Sequence, residues 1–157
     1  EKYAEPIVVD SNYSEDEVLD PAWFFRSYEE MPPLEKKALE LCRGKILDIG
    51  AGAGCHTLYL QNRGFEVVAL EKSALAVEVM KAQSVRQILQ KDIMDLQEGS
   101  FDTLLLLMNG IGKAGTLEKL TSFLEHLKNL MSFDGQILVN STDISYNPEE
   151  YQIFNYK

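Results

Sequence analysis

The stretch that decides the fold is ILDIGAGAGCH, residues 46–56, in which three glycines stand at alternate positions behind branched apolar residues. A short apolar run of this kind is typical of a buried strand. Glycines directly behind it let the backbone lie against a ligand where a Cβ would obstruct, and a helix that begins after them points its first N–H groups at that ligand. The stretch therefore predicts a strand, a ligand-binding loop and a helix.

Composition limits the number of domains and the kinds of partner. The chain has 157 residues, of which 45% are hydrophobic, and this is enough for one sizeable core in a single domain. Fifteen basic and twenty-five acidic residues give a net charge of -10. Such a charge repels a nucleic-acid backbone and an anionic membrane surface. We therefore expect neither nucleic acid nor a membrane as partner.

The apolar runs and the cysteines indicate the compartment. The longest purely apolar run, residues 104–108, is far shorter than the ~20 residues of a membrane-spanning helix, and no secretory signal opens the chain. Cys42 and Cys55 have neither the spacing of metal ligands nor the pattern of a secreted disulfide scaffold. We expect a cytoplasmic protein with two reduced thiols and no bound metal.

Short apolar runs alternate along the chain with longer amphipathic stretches, which is typical of parallel βαβ units. This alternation predicts an α/β fold with a doubly wound, mostly parallel Rossmann-like sheet. Residues 1–32 are interpreted as an N-terminal arm or lid, and residues 33–157 as the folded domain. Strands are predicted at 45–49, 66–71, 86–92, 101–108 and 136–142, and helices at 33–42, 55–62, 73–83 and 116–131. Helical spacing places these residues on the buried faces of the first and last helices: Leu34, Ala38, Leu41, Cys42, Leu117, Leu120, Phe123, Leu124, Leu127 and Leu130.

The residues at the strand ends indicate the kind of ligand. Ligands of such sheets bind outside the carboxyl ends of the strands, and Glu71, which ends the second predicted strand, can accept hydrogen bonds from both hydroxyls of an adenosine ribose. A dinucleotide fingerprint would require glycine at Cys55 or at Thr57, and neither position has it. Asp48 precedes the glycines, where we expect its carboxylate to accept N–H bonds from the loop and where a negative group suits a sulfonium better than a pyrophosphate. We therefore infer that the ligand is a cofactor that contains a nucleoside.

Five motifs in fixed order, LDIGAGAG, EVVALE, QKDIMDL, FDTLLLLMNGIG and DGQILVNS, lie between residues 45 and 141. Together they resemble the class I S-adenosylmethionine-dependent methyltransferases. The resemblance implies S-adenosylmethionine as cofactor and transfer of its sulfonium methyl to an acceptor, which we expect to be a small molecule because the chain is acidic. It also implies a set of cofactor-binding residues: Asp48, Gly50, Ala51, Gly52, Gly54, Glu71, Lys72, Asp92, Ile93 and Asn109.

In that family the glycine loop packs against the methionine and ribose portions of the cofactor. The resemblance implies that Glu71 binds the ribose, that Asp92 binds the adenine amino group, and that Ile93 contacts the adenine ring. Asp95 competes with Asp92, and one of the two is expected to be only a turn or cap residue. Asn109 is expected to face the methionine moiety and the transferring methyl.

No catalytic residue is assigned, since a general base is needed only if the acceptor arrives protonated. His56 and Tyr28 are the candidates for that role. The aromatic residues near the N-terminus are interpreted either as a lid over the cofactor or as the contacts that dock this segment on the sheet: Trp23, Phe24, Phe25 and Tyr28.

Two other functions remain open: a nicotinamide-dependent oxidoreductase and a binding module without catalysis. Family members continue past the fifth strand into a helix and a two-stranded hairpin, and the residues that follow it here are too few for both. We therefore expect a shortened chain whose sheet lacks the hairpin strands. An exposed strand edge invites pairing with another chain, so we also expect a homodimer.

Overall fold

The computed structural model describes residues 5–9 and 17–141. The expected absence of further strands after the fifth concerns residues 142–157, which lie outside the described residues, as does part of the predicted arm. The helices and strands are β1 (Ile7–Val9), β2 (Glu17–Leu19), α1 (Pro33–Leu41), β3 (Lys45–Ile49), α2 (Cys55–Asn62), β4 (Glu66–Glu71), α3 (Ala74–Ala82), β5 (Ile88–Gln90), β6 (Phe101–Leu106), α4 (Leu117–Asn129) and β7 (Met131–Val139).

The central sheet has five parallel strands in the order β5-β4-β3-β6-β7. The chain adds strands outward on one side of β3 and then returns to add them on the other, so the strand order reverses between β3 and β6. The doubly wound parallel sheet predicted from the sequence is confirmed. In such a sheet the reversal opens a crevice at the carboxyl ends of the strands, and the glycine loop follows β3 at this point.

Alternate residues of the strands fill two layers of core. Leu47 and Leu104 pack with Phe123 and Leu127 of α4, whereas Ile46 packs with residues of α1 and α2. Val77 and Met80 of α3 form a third cluster with Ala69 of β4. Because β3 and β6 are buried on both faces, each reads in the sequence as a nearly continuous apolar run.

The last strand differs from the prediction. It begins at Met131, separated from the end of α4 by Leu130, and runs through the predicted turn at Asp134 and Gly135. The Phe101 N–H donates to the Leu130 carbonyl oxygen over 3.0 Å, so pairing with β6 starts as soon as the helix ends. The extra residues are taken up by a register shift between Phe101 and Thr103. What the sequence presents as a turn is an irregularity within a strand.

The buried faces of two helices are narrower than the spacing predicted. Leu34 and Leu41 of α1 are 58% and 48% exposed, while Glu35 and Leu39 point inward. The inward face of α1 is fixed by the ionic partners of Glu35. On α4, Leu117 is 85% exposed and Leu124 is 39% exposed; the core contacts come from the i, i+4 pair Phe123 and Leu127.

The N-terminal segment forms a separate two-stranded sheet and two 3-10 turns before α1. Strands β1 and β2 pair antiparallel, and 3-10 turns at Pro21–Phe25 and Tyr28–Glu30 lead into α1. The buried Met31 anchors the segment in the core beside α1 and α2. No helix among the described residues is long and apolar enough to cross a membrane.

Candidate functional site

The glycine loop between β3 and α2 is fastened to the end of β4. The N–H groups of Gly50 and Ala51 both donate to the Leu70 carbonyl oxygen, over 2.7 Å and 3.1 Å. The Gly52 N–H donates to the Glu71 carboxylate over 3.0 Å. The loop and the acid predicted to bind ribose are therefore one hydrogen-bonded unit at the strand switch point.

Gly52 and Gly54 differ in how much space an added side chain would have. A Cβ on Gly54 would lie 2.9 Å from Met80 Cγ and 3.1 Å from Val85 Cγ2, and its φ is +90°. Gly52 has a φ of +57° but open space around it. Gly54 does not line the cavities described below, so the structure gives it a packing role at the start of α2.

A first cleft lies at the carboxyl ends of β4 and β5, and Gly50, Glu71, Lys72, Asp92 and Ile93 line it. Five of the predicted residues thus come together. Both Glu71 oxygens are engaged by N–H groups, since Oε1 accepts from the N–H of the following helix cap, Ser73, over 2.9 Å. A carboxylate has further acceptor sites, so these bonds orient Glu71 and leave lone pairs for a ligand.

Asp92 both caps a turn and lines the first cleft, whereas we expected the cap and the cleft to involve different acids. Its Oδ1 accepts from the Met94 N–H over 3.0 Å and so caps the turn Ile93–Asp95. Its Oδ2 lies 3.8 Å from Lys72 Nζ, across the mouth of the cleft. Asp95 does not line the cleft. The preference for Asp92 over Asp95 therefore has geometric support, and its contact with adenine remains a prediction.

A second cavity of about 370 Å³ lies on the other side of the glycine loop. It brings together five predicted residues, Asp48, Gly50, Ala51, Gly52 and Asn109, and adds residues from the N-terminal segment. Of the aromatic residues considered for a lid, Phe24 lines this cavity, whereas Trp23, Phe25 and Tyr28 do not. Trp23 and Phe25 are 43% and 52% exposed.

Asp48 is held below the glycine loop. Its side chain is buried and accepts a hydrogen bond from the Thr57 hydroxyl over 2.6 Å, instead of the loop N–H bonds that we expected. Burial raises the pKa of the Asp48 carboxyl, and the positive charge of His56 and the Thr57 hydrogen bond oppose the rise. Asp48 therefore places an electronegative group behind the loop without being exposed to solvent.

The segment after β6 carries backbone strain at the site. Met108 and Asn109 have φ values of +54° and +59°, in the left-handed region that non-glycine residues rarely adopt. The Asn109 N–H donates to the Asn140 Oδ1 over 3.2 Å, which ties this segment to the end of β7. Consecutive residues of this kind typically occur at ligand-binding sites.

A buried ionic cluster of Arg26, Glu35 and His56 borders the second cavity, and sequence reasoning missed it. One oxygen of Glu35 lies 2.5 Å from Arg26 Nη2 and 2.8 Å from His56 Nε2, and all three residues are at least 94% buried. Arg26 Nη1 also donates to the Trp23 carbonyl oxygen, and the guanidinium lies 4.4 Å from the centroid of the Trp23 ring. The cluster joins the N-terminal segment, α1 and α2.

The cluster sets the charge of its members. Burial by itself raises the pKa of the Glu35 carboxyl, but the hydrogen bonds from His56 and Arg26 outweigh it and hold that pKa below its usual value. Burial by itself lowers the pKa of His56, but hydrogen bonds with Cys55 and Glu35 and the charge of Asp48 raise it to about 10. His56 is therefore an imidazolium at neutral pH.

Neither candidate base is suited to the role. His56 lines the cavity, and its raised pKa, about 10, disfavours it as a base at neutral pH, so its role stays a prediction. Tyr28 faces away from the cavity: its ring stacks on Tyr59 at 4.2 Å, and its hydroxyl donates to Glu40 over 3.3 Å. Burial and the neighbouring Tyr59 raise the pKa of Tyr28 above its ordinary value.

The cysteines and acidic groups form no metal site in the part of the chain that the structure describes. No group of three His, Cys, Asp or Glu residues there is arranged to hold a metal ion. Cys42 and Cys55 are free thiols, and burial raises the pKa of Cys42 to about 12.

Comparison with known proteins agrees with this geometry. Residues 47–139 match the family model described as a methyltransferase domain. The chain belongs to the methyltransferase-domain family. The match runs from within β3 to the end of β7 and includes the glycine loop and the first cleft, and it confirms the resemblance noted in the sequence. It favours a methyltransferase over the nicotinamide-dependent oxidoreductase.

Individual methyltransferases show how far the similarity extends. A SAM-dependent methyltransferase from Bacteroides fragilis, solved in complex with S-adenosyl-L-homocysteine, is 42% identical with a TM-score of 0.85, covering 90% of this chain and 59% of that one. A 23S rRNA (uracil(747)-C(5))-methyltransferase from Pyrococcus horikoshii is 39% identical over 66 residues, 41% of this chain and 16% of that protein. The PH0226 protein from Pyrococcus horikoshii shares the fold at 20% identity, with a TM-score of 0.60 over 73% of this chain and 57% of that one. The chain thus spans less than two thirds of each.

Proposed function

We propose that this methyltransferase domain binds S-adenosylmethionine and transfers its sulfonium methyl to an acceptor by in-line displacement. The observation that carries the proposal is the pair of cavities that meet over the glycine loop at the strand switch point. Their lining fits the cofactor: carboxylates stand where hydroxyl and amino groups need acceptors, and Ile93 and Leu70 offer apolar surface to a base. The Bacteroides fragilis relative, whose structure contains S-adenosyl-L-homocysteine, supports the same assignment.

In the first cleft, Glu71 would accept from the ribose hydroxyls, and the loop hydrogen bonds already hold its carboxylate in place. Asp92 would accept from the adenine amino group, with Ile93 against the ring and Lys72 at the rim. In this arrangement the acceptors are fixed before a ligand arrives, which lowers the entropic cost of binding.

In the second cavity, Asp48 would lie behind the loop, close enough to favour a cation without contacting it. Gly50, Ala51 and Gly52 would pack against the methionine portion, and Asn109 would face the transferring methyl. The bound cofactor would supply an electrophilic methyl on a good leaving group. The residues around it therefore have to align the acceptor and exclude water, and alignment of this kind supplies much of a rate enhancement.

The acceptor is proposed to be a small molecule, which the cavity of about 370 Å³ and the net charge of -10 support. A charge of this sign raises the cost of approaching RNA. Because the Pyrococcus horikoshii relative is named as an rRNA methyltransferase, RNA belongs in the test.

Free thiols at Cys42 and Cys55 support a cytoplasmic location. The position of β7 at the edge of the described sheet supports a homodimer, which light scattering would test.

The test is isothermal titration of S-adenosylhomocysteine into the wild-type protein, Glu71→Ala and Glu66→Ala. Glu66 begins the same strand and pairs with Lys45 on the surface, 53% exposed, so it is a matched control. We expect saturable binding by the wild type and Glu66→Ala. Loss of charged hydrogen bonds of about 1.5–3 kcal/mol should weaken binding by Glu71→Ala roughly ten- to hundredfold. Absence of binding by folded wild-type protein would refute the proposal.

Transfer itself is tested with cofactor carrying a radiolabelled methyl group. The protein is incubated separately with a small-molecule extract and with total RNA, and the label is followed into each pool. Label in the small-molecule pool supports the proposed acceptor class, and label in RNA replaces it. If the cofactor binds but neither pool is labelled, the non-catalytic binding module becomes the better description.

A further inference from the structure

Lys113 lies directly over the glycine loop. It belongs to the 3-10 turn Gly110–Ala114 that follows β6, and its side chain extends to Gly50. A Cβ built on Gly50 would lie 2.3 Å from both Cε and Nζ of Lys113. The space left by the missing side chain of Gly50 is therefore occupied by the end of the Lys113 side chain.

This position is the junction of the two cavities. Among the described residues, Gly50 and Lys113 are the two that line both the first cleft and the second cavity. A ligand held by Glu71 in one and packed beside Asp48 in the other has to cross Gly50. It therefore has to pass through the space where the Lys113 side chain lies.

The ammonium has an electrostatic reason to rest there. Burial raises the pKa of the Asp48 carboxyl, and the charge of Lys113 is among the influences that oppose this rise, as expected of a cation near a carboxylate. A sulfonium bound over the loop would meet the same carboxyl. The protein thus has one favourable position for a cation and two cations that can occupy it.

The turn that carries Lys113 has the means to rearrange. It is preceded by Met108 and Asn109, both in the left-handed region; asparagine tolerates this conformation, and the strain of about 1–3 kcal/mol at Met108 favours any movement that relieves it. Within the segment, a Cβ added to Gly112 or Gly115 would meet no atom within 4 Å, so both positions face open space on that side. Lys113 itself is exposed apart from its contact with the loop.

We propose that Lys113 is an internal competitor of the cofactor: its ammonium closes the junction of the two cavities in the free protein and leaves when a sulfonium takes its place. The inference rests on the proposed binding of S-adenosylmethionine. Since only the fraction of molecules with Lys113 displaced can bind, the apparent dissociation constant is the intrinsic one divided by that fraction. Lys113 therefore weakens the binding of either ligand by the same factor, and its displaced ammonium, still close by, weakens the binding of the cationic S-adenosylmethionine further.

The experiment compares Lys113→Ala with the wild type by isothermal titration, using S-adenosylmethionine and S-adenosylhomocysteine separately. The matched control is Lys119→Ala, which removes the same charge from an exposed position at the start of α4. We expect Lys113→Ala to bind S-adenosylmethionine about tenfold more tightly, and the neutral S-adenosylhomocysteine only about threefold more tightly. Lys119→Ala should match the wild type for both.

Each other result has a distinct meaning. Weaker binding by Lys113→Ala would make Lys113 a cofactor contact and overturn the inference, and so would unchanged binding or an equal effect of both lysine variants. Saturable binding by Lys113→Ala but not by the wild type would be its strongest support. If no variant binds either ligand while circular dichroism shows folded protein, the proposed function fails and the inference fails with it.

Discussion

Removal of the shared carboxylate in the buried cluster tests how the N-terminal segment is held. Glu35 is 4% exposed and is the acceptor for both Arg26 and His56. In Glu35→Gln two buried cations lose their counterion, and breaking a buried pair by removing one partner costs about 3–5 kcal/mol. Glutamine keeps the shape and one acceptor, so we expect a loss of about 3 kcal/mol in the free energy of unfolding.

The loss is measurable by thermal unfolding at pH 7 followed by circular dichroism. At ~2–4 °C per kcal/mol for a domain of this size, the midpoint should fall by roughly 6–12 °C. Glu40→Gln is the control: it removes the same charge from α1, but its side chain is 54% exposed, so the midpoint should move by no more than ~2 °C. A decrease no larger in Glu35→Gln than in Glu40→Gln would refute the view that the cluster holds the segment.

Two further predictions concern stability. The pKa of His56 rises on folding from 6.5 to about 10, so its stabilising contribution is complete below pH 6.5 and is lost as the pH approaches 10. In urea unfolding across this range, wild-type protein should lose stability relative to His56→Gln; parallel curves would show that His56 is not an imidazolium. Gly54→Ala combines a φ of +90° with a contact of 2.9 Å to Met80 and should cost about 3 kcal/mol, whereas Gly52→Ala, with φ +57° and open space, should cost about 1 kcal/mol. Equal unfolding midpoints for these two variants would contradict the packing role of Gly54.

Most strands of the sheet could be predicted from the sequence because each central strand is a nearly continuous run of buried apolar residues. The bounds of β3 and β4 agree with the apolar runs, since each run is buried over nearly its whole length. The predicted start of β7 was wrong because Asp134 and Gly135 are residue types that favour a turn. The observed start depends on the pairing of Met131 with Phe101, thirty residues away in the chain. Local patterns contain no information on such a pairing.

The site was predictable where it follows the order of the chain. Glu71 and Asp92 come at strand ends, so the topology brings them to one cleft. The cluster around Glu35 could not be predicted from the sequence. Arg26 and His56 lie nine and twenty-one residues from Glu35 in the chain, and they contact it only because Glu35 lies on the buried face of α1. Leu34 and Leu41 favoured the opposite face. The alternative i, i+4 spacing of Glu35 and Leu39 was the available signal.

The stacking of Arg26 on Trp23 gives the protein an optical reporter. Trp23 is the single tryptophan of the chain, and its ring lies against the guanidinium that the buried cluster fixes. Its emission therefore responds to the docking of one segment, while far-ultraviolet ellipticity responds to the helices of the whole fold. If the segment detaches before the sheet unfolds, the two signals will separate along a denaturation curve, and the cooperativity of the molecule can be read without attaching a label.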